Sequence, residues 1–214
     1  MNIALLGTGQ VAIALAKGAA ARGHQVAFGT RDSNSETAQQ ALAAVPTAKL
    51  LNYDAAAKFA DIAFLATSWS GTENALKLAG ADNLSGKLLI DVTNPLDFST
   101  GKPRLALGFP HSAGAQIQQW LPKTQVVKAF NIISSTRMVD PVFADGAADM
   151  FIAGNDSDAK LKASELIHSF GWRSAIDMGD ISNSYLLEAL AMTWIEYGAT
   201  RNHWTHGFSL LSAQ

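Results

Sequence analysis

The first thirty residues restrict the fold of this chain more than any other stretch. A short apolar run at residues 2–6 (NIALL) is followed by the glycine turn of residues 7–12 (GTGQVA), an alanine-rich segment and a second apolar run at residues 25–28 (QVAF). Strand, glycine turn, helix and strand in this order are typical of the βαβ unit that binds a dinucleotide. The alternative is an ordinary glycine turn, because the GxGxxA pattern alone is weak.

Each small residue of the glycine turn has a predicted structural role. Gly7 permits the sharp turn after the strand, Gly9 leaves room for a pyrophosphate at the backbone, and Ala12 lets the helix pack closely on the sheet. The free N–H groups and the dipole at the start of the helix favour a phosphate there. We therefore predict that a dinucleotide pyrophosphate binds to the residues of this turn: Gly7, Thr8, Gly9, Gln10 and Val11.

The residues after the second strand distinguish the two nicotinamide dinucleotides. Thr30, Arg31 and Ser33 are donors that suit the 2′-phosphate of NADP(H), whereas Asp32 suits the ribose hydroxyls of NAD(H). Because Arg31 comes first and is flanked by hydroxyl groups, NADP(H) is favoured. NAD(H) stays the alternative.

Polar residues follow three further apolar runs, at the points where the predicted strands end. Ligands of open α/β sheets bind outside the carboxyl ends of the strands, so these residues are predicted to line one cleft with the glycine turn. They are Thr67, Ser68 and Trp69 after one run, Thr93, Asn94 and Pro95 after the next, and Asn131 after the third.

Roles within this predicted cleft differ, and each residue has an alternative. All but Thr93 and Asn131 are predicted to contact the cofactor, while Asn94, Asn131 and His111 are candidates for positioning a substrate. Turn chemistry is the alternative for the short polar residues. Trp69 suits the core as well as stacking on a ring, and His111 could instead cap the helix that follows it.

The alternation of strands and helices predicts an α/β fold, a doubly wound Rossmann-type parallel sheet, over residues 1–138. Residues 139–214 are expected to form a small C-terminal α/β lobe ending in an apolar helix. Glu188 and Glu196 are predicted to lie away from the apolar stripe of that helix. The stripe comprises Leu186, Leu187, Leu190, Ala191, Trp194 and Ile195. It suits either the core or a dimer contact, so a homodimer is expected.

Composition excludes several classes of protein. With 16 basic and 18 acidic side chains, nothing indicates nucleic acid or an anionic membrane as a partner. The absence of cysteine excludes disulfides and thiol catalysis, and fits a cytoplasmic protein. We expect no signal peptide and no membrane span. His203 and His206 have a spacing that metal ligands on a helix can have, but no third ligand is near, so no metal is expected.

Several motifs resemble those of the deazaflavin (F420)-dependent NADP oxidoreductase family, also called the NADPH-dependent deazaflavin reductases. The resemblance covers nearly the full length, and its most specific parts are the TNPL and KAFN motifs. The matching stretches are IALLGTG (3–9), GTRD (29–32), DVTNPL (91–96), VVKAFN (126–131), MFIAG (150–154) and LEALA (187–191) with Trp194 and Ile195.

The resemblance implies hydride transfer between NADP(H) and a bound small-molecule ring acceptor, such as a deazaflavin or a flavin. It places the reaction in a cleft between the Rossmann domain and the C-terminal lobe, and the 2′-phosphate on Thr30, Arg31 and Ser33. Such a transfer needs proximity and orientation more than an acid or a base. No acid or base is therefore predicted.

Two departures from the family pattern bear on function. Glu36 lies near the phosphate turn, where the family often has a basic residue, and residues 201–206 (RNHWTH) replace a glycine-rich stretch near the expected acceptor pocket. The acceptor could therefore differ, with a flavin, a quinone or an imine-like substrate as alternatives. Outside enzymes, the alternative is a sensor or regulatory module that binds NADP(H) without turnover.

Overall fold

The protein is described by a computed structural model over residues 1–213. Within that range ten strands and eight α-helices follow one another in an α/β order. The strands are β1 (Asn2–Leu6), β2 (Gln25–Thr30), β3 (Lys49–Asn52), β4 (Ile62–Leu65), β5 (Leu88–Asp91), β6 (Leu96–Asp97), β7 (Arg104–Leu105), β8 (Gln125–Lys128), β9 (Met150–Gly154) and β10 (Ala175–Asp177). The helices are α1 (Gln10–Ala21), α2 (Glu36–Ala44), α3 (Tyr53–Phe59), α4 (Trp69–Ala79), α5 (Ala81–Leu84), α6 (Ala113–Trp120), α7 (Ser157–Ser169) and α8 (Ser184–Arg201).

Eight of the strands form one sheet in the order β10-β9-β8-β5-β4-β1-β2-β3. From β3 to β8 all neighbours are parallel. The chain moves outward from β1 to β3, then returns to the other side of β1 for β4, β5 and β8. The order therefore reverses between β1 and β4, which is the switch point where α/β sheets of this kind bind ligands. The predicted fold class is confirmed.

Both faces of the sheet are covered because its central strands are apolar on both sides. In β1, Ile3 and Leu5 belong to the core layer beneath α1, α2 and α7, while Ala4 and Leu6 belong to the layer beneath α3, α4 and α6. Helix α1 packs closely because its inner face is alanine: Ala12, Ala16 and Ala19 are fully buried. Small side chains bring the start of this helix close to the strand ends.

The last two strands extend the same sheet but run the opposite way. Strand β9 pairs antiparallel with β8, and β10 pairs parallel with β9. The N-terminal ends of β9 and β10 therefore lie at the edge where the parallel strands have their carboxyl ends. The boundary predicted at residue 138 falls in the irregular link before β9, and the division into two domains stays a prediction.

Helix α8 and the tail after it lie against this edge. The helix contacts α6, β7 and β9, and the tail of residues 202–213 returns along it. The Asp149 N–H donates to the Phe208 carbonyl at 2.8 Å, and the Leu210 N–H donates to the Asp149 carboxylate at 2.7 Å. The tail is thus fixed to the start of β9. Within residues 1–213, no helix combines the length and apolar character needed to cross a membrane.

Candidate functional site

The glycine turn is wedged between three strands. The Gly7 N–H donates to the Gly29 carbonyl of β2, and the Ala66 N–H after β4 donates to Leu6 of β1, both at 3.0 Å. Gly7 has φ of +133°, and a Cβ atom there would lie 2.4 Å from the Ala66 carbonyl oxygen. Only glycine fits this position, as the motif predicted.

Gly9 lies in the opposite situation, at the open start of α1. It is the N-cap residue, with extended backbone angles that any residue can adopt (φ −78°, ψ −179°). A Cβ atom added at Gly9 would meet nothing within 4 Å. Within residues 1–213, no side chain caps the helix, so its first N–H groups have no side-chain acceptor. Backbone, dipole and free volume fit a dinucleotide pyrophosphate. Thr8, beside Gly9, hydrogen-bonds the Thr37 hydroxyl of α2 at 3.2 Å.

The turn after β2 divides the predicted phosphate ligands into two groups. The Thr30 hydroxyl, which is buried, donates to the Asp32 carbonyl at 3.0 Å and accepts from the Asp32 N–H at 3.2 Å. Thr30 therefore shapes the turn, whereas Arg31 and Ser33 are exposed. Asp32 turns one carboxylate oxygen back to the Asn34 N–H at 2.8 Å. Within residues 1–213, no hydrogen bond or ion pair holds the Arg31 side chain.

At the end of β4, the polar residues mostly bond to each other. The Thr67 hydroxyl contacts that of Thr72 at 2.8 Å, and Ser68 is the exposed N-cap residue of α4. Trp69 stacks on Trp120 of α6, with ring centroids 5.8 Å apart and an angle of 16° between the planes. Of the two interpretations of Trp69, these contacts favour the core.

Asn94 and Asn131 meet across the ends of β5 and β8. The Asn94 side-chain amide donates to the Asn131 carbonyl at 2.7 Å, and the Asn131 amide donates to the Asn94 side-chain oxygen at 2.9 Å. The Asn131 amide also donates to the Leu187 carbonyl of α8 at 3.0 Å. Its own Oδ1 is buried and has no partner within residues 1–213. The sequence placed these two residues together correctly, and Pro95 follows them as a buried residue.

His111 does not cap the helix that follows it. The N-cap residue of α6 is Ser112, whose hydroxyl accepts from the Ala115 N–H at 3.1 Å. The capping alternative for His111 is therefore wrong. His111 is exposed, and its role in positioning a substrate stays a prediction.

A fully buried group of three charges lies behind the asparagine pair and was missed from the sequence. Lys128 Nζ lies 2.9 Å from Asp91 Oδ2 and 3.0 Å from Glu188 Oε1, and all three side chains are 0% exposed. Glu188 was expected away from the packed stripe of α8, and that prediction is wrong. Burial lowers the pKa of Lys128, but the Asp91 and Glu188 carboxylates outweigh it and hold that pKa above its usual value. The sequence did contain a signal for this group, because Asp91, Lys128 and Glu188 each lie in or at the end of an apolar segment.

A cavity of about 790 Å³ lies beside the start of β9, between the tail and residues 137–148. Its lining combines rings and cations, including Phe143, Tyr197, Phe208, Arg137 and Arg173. It shares the sheet edge of the glycine turn because β9 runs antiparallel. The residues predicted for the cleft line the strand ends and not this cavity, although His203, Thr205 and His206 of the unusual tail stretch contribute to it.

The two tail histidines lie beyond the end of α8 and make local contacts. The ring nitrogens of His206 face the backbone carbonyls of His203 (2.8 Å) and Trp194 (3.1 Å), and His203 Nε2 lies 2.9 Å from the Thr205 hydroxyl. The His206 ring also stacks on Trp194, with centroids 4.6 Å apart. No group of three metal-ligating side chains occurs among residues 1–213.

Comparison with known proteins identifies the family. The family described as "NADP oxidoreductase coenzyme F420-dependent" matches residues 2–95. The F420-dependent NADP reductase of Methanothermobacter marburgensis is 31% identical over an alignment of 204 residues that covers 89% of each chain. The chain belongs to this family. The resemblance drawn from the motifs is thereby confirmed.

Two further relatives show how far the similarity of this family member extends. The crystal structure of a candidate F420-dependent NADP-reductase from Arthrobacter sp. FB24 is 36% identical, with a TM-score of 0.94, over 99% of this chain and 100% of that one. Metalloreductase STEAP3 of Rattus norvegicus is 29% identical over 89% of this chain, but the chain spans only 36% of that protein.

Proposed function

We propose that the chain is an NADP(H)-dependent oxidoreductase that transfers a hydride between the nicotinamide and a bound ring acceptor. The observation that carries the proposal is the open start of α1 at Gly9, which leaves backbone N–H groups unused in front of free volume. Such a helix start binds phosphate. The dinucleotide would lie across the switch point between β1 and β4, with its pyrophosphate on residues 7–11.

The turn after β2 favours NADP(H) over NAD(H). Arg31 is exposed and has no hydrogen-bond or ion-pair partner among the described residues 1–213, so its guanidinium can pair with a 2′-phosphate. Ser33 lies beside it, while the Asp32 carboxylate is partly occupied by the Asn34 N–H. Thr30 supports this arrangement from within the turn.

The residues of the chain would act in the reaction by orientation. When bound, NADPH supplies the hydride. The Asn94–Asn131 pair lies at the strand ends where the nicotinamide end of a dinucleotide belongs, and its mutual hydrogen bonds would hold the cleft wall in one arrangement there. Thr67, Ser68 and Pro95 would border the same cleft. Accurate placement of donor and acceptor is the main requirement of a hydride transfer.

The acceptor would be held by the cavity beside β9, with its reacting ring extending toward the adjacent end of β8, because hydride transfer requires contact with the nicotinamide. Its volume of about 790 Å³ lies within the usual range for ligand sites, and its aromatic lining suits a planar ring. Family membership favours a deazaflavin such as F420. A flavin, a quinone or an imine-like substrate are the alternatives, because residues 203–206 alter part of this lining.

The oligomeric state and the location of the protein complete the proposal. Leu186 and Tyr197 of α8 are 40% and 48% exposed and would form part of a homodimer contact. The lack of cysteine agrees with a cytoplasmic location.

Titration with NADPH and NADH, followed by nucleotide fluorescence, tests the cofactor. We expect tight NADPH binding, which Arg31→Ala weakens by about 10- to 100-fold while NADH binding changes little, since one charge-assisted contact is lost. Lys17→Ala, which removes an exposed cation further along α1, is the control. Failure to bind either nucleotide would refute the dinucleotide site.

Oxidation of NADPH is then followed with acceptors added in turn, a deazaflavin first, flavins second, and quinones and imines last. Turnover with one of these classes identifies the acceptor chemistry. NADPH binding without turnover of any of them would favour the sensor or regulatory alternative.

A further inference from the structure

The buried charges of Lys128, Asp91 and Glu188 connect three separate parts of the molecule. Asp91 ends β5, Lys128 ends β8, and Glu188 lies one turn into α8. One lysine faces two carboxylates, so the group is anionic by one charge if all three are ionised. A fully buried group of charges loses its hydration, so it stabilises a fold no more than apolar side chains of similar size commonly do. An explanation in terms of stability alone is therefore weak.

Each charge in this group also holds backbone close to the cleft. Asp91 Oδ1 accepts from the N–H (2.9 Å) and the hydroxyl (2.7 Å) of Thr93, and Lys128 Nζ donates to the Thr93 carbonyl. Asn94 follows directly. Glu188 accepts from the first N–H groups of α6, those of Ala113 (3.1 Å) and Gly114 (3.2 Å). The three charges therefore fix the β5 loop, the start of α6 and the register of α8.

The asparagine pair is attached to the same turn of α8. The Asn131 amide donates to the carbonyl of Leu187, the residue next to Glu188. Any rotation or shift of α8 that follows the loss of the Glu188 contacts therefore moves the acceptor that orients Asn131. Because Asn94 bonds to Asn131, the displacement reaches both asparagines.

We infer that Glu188 and Lys128 are positioning residues for hydride transfer, acting through the Asn94–Asn131 pair by holding α8 against the strand ends. This inference rests on the proposed oxidoreductase function. Because the glycine turn and Arg31 lie elsewhere on the sheet edge, the ion group acts on the orientation of the reacting partners and not on the affinity for NADPH.

Glu188→Gln tests the inference with nearly unchanged side-chain volume. Glutamine offers one acceptor oxygen in place of two and turns an N–H donor toward either Lys128 or the α6 start. We expect the single-turnover rate of NADPH oxidation to fall about 10- to 100-fold, as small misplacements of reacting groups do. The Kd for NADPH should change less than threefold. Glu196→Gln, two turns further along α8 and exposed, is the control and should match the wild type.

A double-mutant cycle separates positioning from a general loss of structure. If Glu188 acts through Asn131, Glu188→Gln and Asn131→Ala together should slow the reaction about as much as Asn131→Ala alone. Hydrogen exchange without cofactor provides a readout independent of activity. The amides at residues 112–116 and 184–192 should exchange faster in Glu188→Gln than in the control.

Asp91→Asn provides a second variant if Glu188→Gln does not fold, because asparagine keeps an acceptor for Thr93. An unchanged single-turnover rate, or rate losses that multiply in the double mutant, would overturn the inference while leaving the proposed function intact. A wild-type protein that binds NADPH but reduces none of the acceptors would refute the proposed function, and this inference with it.

Discussion

Alanine at Gly7 and alanine at Gly9 should have opposite consequences, although the two glycines lie two residues apart. At Gly7, a side chain must adopt φ near +133° and its Cβ atom would approach the Ala66 carbonyl oxygen to 2.4 Å. Backbone strain of this kind costs about 1–3 kcal/mol, and forced overpacking adds about 1–3 kcal/mol. Taking about 4 kcal/mol, we expect the Tm of Gly7→Ala to fall by roughly 8–16 °C for a chain of this length.

At Gly9, the same methyl group would meet no other part of the described chain within 4 Å, so stability should hardly change. Alanine is a poorer N-cap residue than glycine, which destabilises the fold by up to about 1 kcal/mol. It also reduces the conformational entropy of the unfolded chain, which stabilises the fold by about 0.4–1 kcal/mol. The methyl group would instead stand where the pyrophosphate approaches α1. We expect Gly9→Ala to keep its Tm within about 4 °C and to bind NADPH at least about tenfold more weakly.

Thermal unfolding and NADPH fluorescence titration of the two variants, in one buffer, measure both effects. A Gly7→Ala protein that melts within 2 °C of the wild type would refute the steric argument. A Gly9→Ala protein that binds NADPH with wild-type affinity would refute the placement of the pyrophosphate. The two refutations are independent because stability and binding are measured separately.

Three further outcomes can be measured on the same protein. Asp149→Asn should lower the Tm by about 2–8 °C and expose the tail to proteolysis, since the carboxylate receives charge-assisted hydrogen bonds from Arg173, with Asp145→Asn as an exposed control. Burial raises the pKa of Asp149, but hydrogen bonds from Arg173, Ser174 and Leu210 outweigh burial and hold that pKa below its usual value. Its stabilising effect is therefore present above pH about 4 and lost as the pH falls below that value, so acid unfolding curves of wild type and Asp149→Asn should converge. Trp69→Ala and Trp120→Ala should lower the Tm by similar amounts, because the two rings stack on each other, and both variants should keep the NADPH Kd within threefold of the wild type. A loss of NADPH binding in Trp69→Ala alone would show that Trp69 belongs to the cofactor site.

The features predicted correctly from the sequence are those that local patterns encode. The turn at Gly7 requires a backbone that only glycine adopts, and the strand ends share one edge because parallel strands joined by helices must. Asn94 and Asn131 were therefore placed together without knowledge of their contacts. The role of Thr30 was harder to predict, because the sequence does not distinguish a hydroxyl that hydrogen-bonds within its own turn from one that points outward to a ligand.

The errors have two causes: charge partners that are distant in the chain, and a choice between adjacent residues at the start of a helix. Glu188 was placed away from the packed stripe because a charged residue on an apolar helix normally faces solvent. Its partner Lys128 lies 60 residues earlier, and only the ion pair between α8 and the end of β8 in the folded chain shows that the two charges satisfy each other. His111 was a candidate cap because it lies at the end of a long loop just before a helix, and the choice between it and Ser112 depends on backbone geometry that the sequence does not specify.

The reversed direction of β9 could have been predicted from the segment that precedes it, although the apolar pattern of β9 resembles that of the parallel strands. Parallel neighbours need a crossover, usually a helix, yet residues 129–149 contain only one turn of 3-10 helix at Ser135–Arg137. Without a crossover helix, the chain returns beside β8 in the opposite direction. This reversal brings the start of β9, the tail fixed to Asp149 and the cavity to the edge that carries the glycine turn. The dinucleotide site and the cavity thus share an edge but are built from different parts of the chain. If the acceptor binds at the cavity, as we propose, His203, Thr205 and His206 could alter the acceptor without disturbing the residues at Gly9 and Arg31 that would hold NADP(H).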